Sequence, residues 1–142
     1  MTDQQLAYLI DDPTWDAPFF KRLAANDTGN AVGKGHQGGM AIPKELRRYF
    51  PVLNAGITSA QSPTVDRSLM LELFDAGVFL GNCVSRYQFQ TWGGTRPPES
   101  RITGNLGPLR NLAHRGDLLF VQRSRDRIDA FRLMRTSEVL RT

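Results

Sequence analysis

The chain has 142 residues and a mass of 15.9 kDa, the size of one compact domain, since domains usually run to about 100 to 150 residues. Hydrophobic residues make up 40% and charged residues 23%, near the soluble globular average, which excludes a collagenous, coiled-coil or wholly disordered chain. No apolar run approaches the roughly 20 residues that span a bilayer, and MTDQQLAYLIDD lacks a basic start followed by an apolar stretch, so the expected location is cytoplasmic. The one cysteine, Cys83, has no internal disulfide partner. With two histidines, His36 and His114, a structural zinc site would have to lean on carboxylates.

Charge is unevenly spread. Residues 1 to 20 hold Asp3, Asp11, Asp12 and Asp16 and no Lys or Arg, so the remaining 122 must carry plus eight to reach the net charge of +4. Of the 18 basic residues only Lys21, Lys34 and Lys44 are lysines. The 15 arginines have the planar fork that suits bidentate contact with phosphates and guanine edges. This excess favours a polyanion partner, although a GC-rich genome inflates arginine in any protein.

In chain order, residues 1 to 16 form an acidic lead with a helix expected around Gln4 to Ile10, and FFKRLAA at 19 to 25 reads as a first strand. NDTGNAVGKGHQGG at 26 to 39 is too long and polar for a plain hairpin turn, and loops of that length in small domains usually have a function. MAI at 40 to 42 resumes the strand. Pro43 then opens a short helix, KELRRYF, with Leu46, Tyr49 and Phe50 on one face and Pro51 as its stop. SLMLELF at 68 to 74 alternates Leu69, Leu71 and Leu73 with Ser68, Met70 and Glu72, as a half-buried strand does, and VFLGNCVSRYQF at 78 to 89 continues the β pattern with a bulge expected at Gly81. A second polar excursion, TWGGTRPPESRITGN, covers 91 to 105. Pro108 to Arg115 fits a second short helix closed by Gly116, and DLLFVQR and RIDAFRLM flank SRDR as a terminal hairpin. There is no internal repeat. The expected fold is mainly β (α+β), one domain over 1 to 142 with about seven strands and two short helices, closed or partly closed to dispose of its edges.

Several catalytic chemistries are missing from the chain. A nuclease of the PD-(D/E)xK type needs an acid two residues before its lysine, and Lys21, Lys34 and Lys44 are preceded there by Phe19, Val32 and Ile42. The His-x-Lys of phospholipase-D enzymes and the histidine cluster of ββα-metal nucleases are absent too. Gly29 to Gly35 superficially resembles a phosphate loop, but it has three residues between its glycines instead of four and no Ser or Thr after Lys34. No Gly-x-Ser-x-Gly elbow occurs. A catalytic centre is therefore not expected in this chain.

The two excursions do carry recognition chemistry. KRLAANDTG at 21 to 29 and GHQGGMAIP at 35 to 43 bring together Lys21, Arg22, Asn26, Asp27, Thr28, Lys34, His36 and Gln37 with glycines that let backbone approach a partner. GGTRPPESRIT at 93 to 103 presents Thr95, Arg96, Glu99 and Arg101. Such side chains read base edges: Arg forks onto guanine, Asn and Gln onto adenine, and Glu accepts from cytosine. Bland alternatives stand beside this reading. Asn26 to Gly29 could be a capped turn, His36 a structural polar residue, and Arg96, Glu99 and Arg101 a solvated ion-pair loop.

At these segments the sequence resembles the N-terminal effector and specificity domain of EcoRII-type restriction endonucleases. KRLAANDTG, GHQ, Gly39, Ile42-Pro43 and the short helix ending in Phe50-Pro51 are similar to that family's first DNA-contacting arm and the element after it, and Thr95-Arg96, Glu99 and Arg101-Ile102-Thr103 to its second arm. The resemblance implies a DNA-binding pseudobarrel, shared with plant "B-three" transcription-factor domains and the specificity domain of BfiI-type enzymes, whose arms at about 21 to 43 and 91 to 105 grip the major groove. It also implies a CCWGG-like duplex target and a catalytic domain elsewhere in the full-length chain or a partner, where magnesium would act; this domain itself needs no cofactor. The chain departs from the family in extra residues around Asn30 to Lys34, in Ala41 for a tyrosine, in Gly94 for a lysine and in an insertion near Pro97-Pro98. The competing readings are a self-contained metal-dependent nuclease and a stand-alone regulator or reader of RNA or modified DNA.

Overall fold

A computed structural model describes residues 12–16, 18–29, 39–50, 64–90 and 97–137, with the backbone alone for 64–66. Its described strands are β1 (Phe19–Arg22), β2 (Met40–Ile42), β3 (Thr64–Asp75), β4 (Val78–Gln90), β5 (Glu99–Thr103), β6 (Leu118–Arg123) and β7 (Ala130–Thr136). They form one sheet in the order β1-β6-β7-β3-β4-β5-β2. The β3–β7 pair is parallel and the other pairs are antiparallel. Three short helical pieces accompany the strands: 3₁₀ segments at Ala25–Asp27 and Lys44–Tyr49, and α1 at Gly107–Arg110. The protein is a mainly β, seven-stranded curled half-barrel, as the sequence led us to expect.

The longest ladder follows from the leucine alternation. Leu69, Leu71 and Leu73 of β3 are buried, while Ser68 and Met70 are exposed on the opposite face. Two residues, Ala76 and Gly77, turn β3 into β4, both at positive φ (49° and 87°), the combination whose twist matches that of the flanking strands. Leu73 pairs with Gly81 but Phe74 with Phe79, so Leu80 is the extra residue of a bulge beside Gly81.

One core lies inside the curl. Met40 and Ile42 of β2, Ile102 of β5, Leu119 and Val121 of β6, and Phe131 and Leu133 of β7 meet the β3 leucines there. Each such side chain contributes about 1.5 to 3 kcal/mol by leaving water. Phe50, at the end of the Lys44–Tyr49 helix, is inserted between Tyr87 of β4 and Phe131 of β7, with ring centroids 4.6 and 4.8 Å away and planes nearly parallel. Leu46 and Tyr49 pack on the same core, so the face expected of this helix is the one it uses.

Several boundaries differ from the sequence reading: β3 starts at Thr64 instead of 68, and the last strand is Ala130–Thr136 instead of 127 to 134. The first strand stops at Arg22 instead of 25, because the Asp27 carboxylate accepts the Ala24 amide and bends the chain into the 3₁₀ turn. The helix expected over 108 to 115 is α1, ending at Arg110. Asp117 accepts the His114 amide and Gly116, at φ 93°, returns its own amide to Leu23, so the chain is drawn back toward β1 before the helix lengthens. Residues 99 to 103, assigned to a loop, are strand β5, with Ser100 and Ile102 buried between β4 and β2. The helix expected at 4 to 10 lies outside the described residues. Among the described residues no helix is long and apolar enough to cross a membrane.

Candidate functional site

The described ends of both excursions meet at one corner of the sheet, where β2 pairs with β5. Ala41 is opposite Arg101 and Ile42 opposite Ser100, so the return of the first excursion and the return of the second are hydrogen-bonded neighbours.

The first excursion leaves β1 through a closed polar clasp. Asp27 Oδ2 accepts from Lys21 Nζ at 2.9 Å and from the Ala24 amide at 2.8 Å, and Oδ1 accepts from the Ala41 amide at 2.9 Å. Lys21 Nζ also donates to the Ala41 carbonyl at 2.6 Å. Thr28 is buried and its hydroxyl donates to the Ala25 carbonyl, while Arg22 donates to the Gly116 carbonyl. Lys21, Arg22, Asp27 and Thr28 therefore make contacts within the fold, and Asn26 is exposed, its side chain making no such contact among the described residues.

On the second excursion Glu99 and Arg101 alternate with the buried Ser100 and point to the other face of β5. Arg101 Nη2 donates to Glu99 Oε2 at 2.9 Å, and Arg101 is 12% exposed against 41% for Glu99, so the carboxylate holds the guanidinium in one orientation. Between the described ends of the two excursions, their feet, lies an open cavity of about 350 Å³ with Asn26 and Asp27 from one side, Glu99, Ser100 and Arg101 from the other, and Gly39 and Ala41 between. An exposed carboxamide, a carboxylate and an oriented guanidinium around one cavity offer the donors and acceptors that base edges match. Burial raises the Tyr87 hydroxyl above its ordinary value of 10.0, with the Ser100 hydroxyl and the Arg47 charge pulling against it. The tyrosine stays a neutral part of the core beneath the site.

Arg47 also borders the cavity, donating to the Pro98 carbonyl at 2.8 Å and lying 5.4 Å over the Phe89 ring. Arg110 donates to the carbonyls of Asn26, Asp27 and Thr28 at 3.0 to 3.2 Å. Neither was a sequence candidate, and no local pattern marks an arginine whose acceptors lie 51 or more than 80 residues away. Lys34, His36, Gln37, Thr95 and Arg96 lie outside the described residues. Among the described residues, no three His, Cys, Asp or Glu side chains are grouped so as to hold a metal ion.

The curled seven-stranded sheet with its short helical pieces is the fold of the B3 domains. A solved example is the UbaLAI restriction endonuclease B3 domain, a mutant form crystallised with cognate DNA. It superimposes with a TM-score of 0.60 over 96% of this chain and 82% of that chain, at 18% sequence identity, a likeness of fold. No protein-family model matches the chain, and no curated protein sequence matches it.

Proposed function

We propose that residues 1 to 142 act as one target-recognition domain of a type II restriction endonuclease, binding duplex DNA sequence-specifically in the major groove. In this reading the two excursions are the reading arms, the domain works in the cytoplasm without a cofactor, and the cleaving centre with its magnesium belongs to another part of the full-length chain or to a partner. The observation that carries the reading is the shared cavity at the β2–β5 corner, where Asn26 and the Glu99–Arg101 pair are placed by separate excursions. The solved B3 domain of like fold, crystallised with its cognate DNA, supports it. Asn26 would accept and donate at an adenine edge, Arg101 would fork onto guanine, and Glu99 would orient Arg101 or accept from cytosine. Lys34, His36, Gln37, Thr95 and Arg96 would be further contact residues for the duplex.

Selection of bound duplexes from a random-sequence pool tests this. Enrichment of one short site of roughly 5 to 6 base pairs supports it, and recovery of unrelated sequences overturns it. Incubating that duplex with the protein and magnesium should leave it intact; cleavage would make the chain a nuclease in its own right. Preference for single-stranded RNA over the duplex would make it an RNA reader.

A further inference from the structure

We propose that Arg47 and Arg110 are positioning residues for the two arms, each holding arm backbone in place so that Asn26 and Arg101 face one cavity. The inference rests on the duplex-reading function proposed above. It assigns these two arginines to the aim of the arms instead of to phosphate contact.

Arg110 holds the outgoing foot of the first arm. Its Nε donates to the Asp27 carbonyl at 3.2 Å, and its Nη2 to those of Asn26 at 3.1 Å and Thr28 at 3.0 Å. Three carbonyls at the end of a 3₁₀ turn converge on one guanidinium, where a cation offsets their partial negative charge. The grip is two-sided, because the Gly29 amide donates to the Arg110 carbonyl at 2.8 Å. The approach is close enough that a Cβ on Gly29 would lie 2.4 Å from Asn111 Oδ1.

Arg47 does the same for the second arm and touches both of its feet. Its guanidinium lies over Phe89, at the end of β4 where the arm departs, and donates to the carbonyl of Pro98, just before β5 where the arm returns. Arg47 itself stands on the helix that follows β2, so it couples the second arm to the return of the first. Lysine cannot replace either residue in these roles. Its single ammonium lacks the planar fork that spans separated acceptors and lies flat on a ring.

The test uses the whole 142-residue chain and the duplex it selects. Arg110→Lys and Arg47→Lys keep the charge and remove the fork. A positioning role predicts that each lowers the ratio of specific to non-specific affinity roughly ten- to a hundredfold, the size expected when one bidentate base contact is misaimed, with the salt slope of non-specific binding unchanged. Hydrogen exchange of the free protein should show faster exchange of the Gly29 amide in Arg110→Lys and unchanged core amides in β7. Arg47→Lys carries the test independently if Arg110→Lys folds poorly. Lysine variants that keep full discrimination, combined with Arg→Gln variants that cut the salt slope by about 0.9 each, would make both residues phosphate contacts and overturn the inference. That outcome leaves duplex reading intact, whereas a wild-type chain that binds no duplex overturns both.

Discussion

Asp27 and Ala41, 14 residues apart, join the two edges of one sheet: Oδ1 of the aspartate accepts the Ala41 amide at 2.9 Å while Oδ2 holds Lys21 of β1. Strands β1 and β2 are the first and last in the sheet order, and each has a backbone ladder on one side. A side-chain clasp thus does what a further ladder does in a closed barrel. It covers an edge that would otherwise be open to pairing with another chain.

Asp27 is 2% exposed and Lys21 10%, so neither charge can be rehydrated cheaply if the other is removed. Asp27→Ala should cost about 3 kcal/mol or more in urea unfolding, and Lys21→Met a similar amount. The double variant should cost less than the sum of the singles, because it leaves no unpaired buried charge. Strict additivity would show that the clasp is not a coupled unit.

Phe50→Ala should destabilise by about 3 to 5 kcal/mol, since it empties the space between Tyr87 and Phe131. Phe50→Leu should recover more than half of that loss. Chemical denaturation midpoints measure both, and a Phe50→Ala midpoint close to wild type would contradict the packing described for the end of this helix.

Gly39 has a φ of 92°, and an added Cβ would lie 2.1 Å from the Ile102 carbonyl oxygen. Gly39→Ala therefore combines backbone strain with a clash against β5 and should cost about 2 kcal/mol or more. At Gly29 the nearest obstacle is a side-chain oxygen of Asn111, which can turn away, and the Arg110 backbone lies farther off at 3.3 Å. Gly29→Ala should be the milder of the two by thermal unfolding, and the reverse order would contradict this account of the feet.

Alkaline pH gives a separate check through Tyr87, whose folded value burial raises above 10.0. The stability contributed by the neutral phenol is complete below pH 10 and is lost as pH rises through the raised folded value. Ultraviolet titration should show a tyrosine that ionises above pH 10, and Tyr87→Phe should remove that late step.

Much of the sheet was legible because its signals are local. The period-two leucines of β3, the bulge glycine and the proline-led helix each declare themselves within a few residues. Strand β5 did not, because Glu99 to Thr103 contains a single apolar residue and follows two prolines; its conformation is imposed by β4 on one side and β2 on the other. The arginine excess was legible as a count and not as a use. Arg22, Arg47 and Arg110 donate to backbone carbonyls, Arg135 bridges Asp75 and Asp117, and Arg132 lies over Trp15 and Phe74. These partners lie too far along the chain for spacing to reveal them, so the basic surplus overstates the surface left for a polyanion. Lys21 and Asp27, which look like contact residues in the motif, occur in the structure as a clasp that also takes the Ala41 backbone.

Whether the β2–β5 corner reads sequence, as proposed, is measured by the affinity ratio of the selected duplex to a scrambled one, for wild type, Asn26→Ala, Arg101→Ala and Arg125→Ala. Arg125 is the control: it lies after β6 and pairs with Asp16 at 3.2 Å, away from the cavity. A base contact is worth about 1 to 3 kcal/mol of discrimination, so Asn26→Ala and Arg101→Ala should each shrink the ratio roughly ten- to a hundredfold and Arg125→Ala should leave it nearly unchanged. An unchanged ratio in both corner variants, with a collapse in Arg125→Ala, would contradict the account.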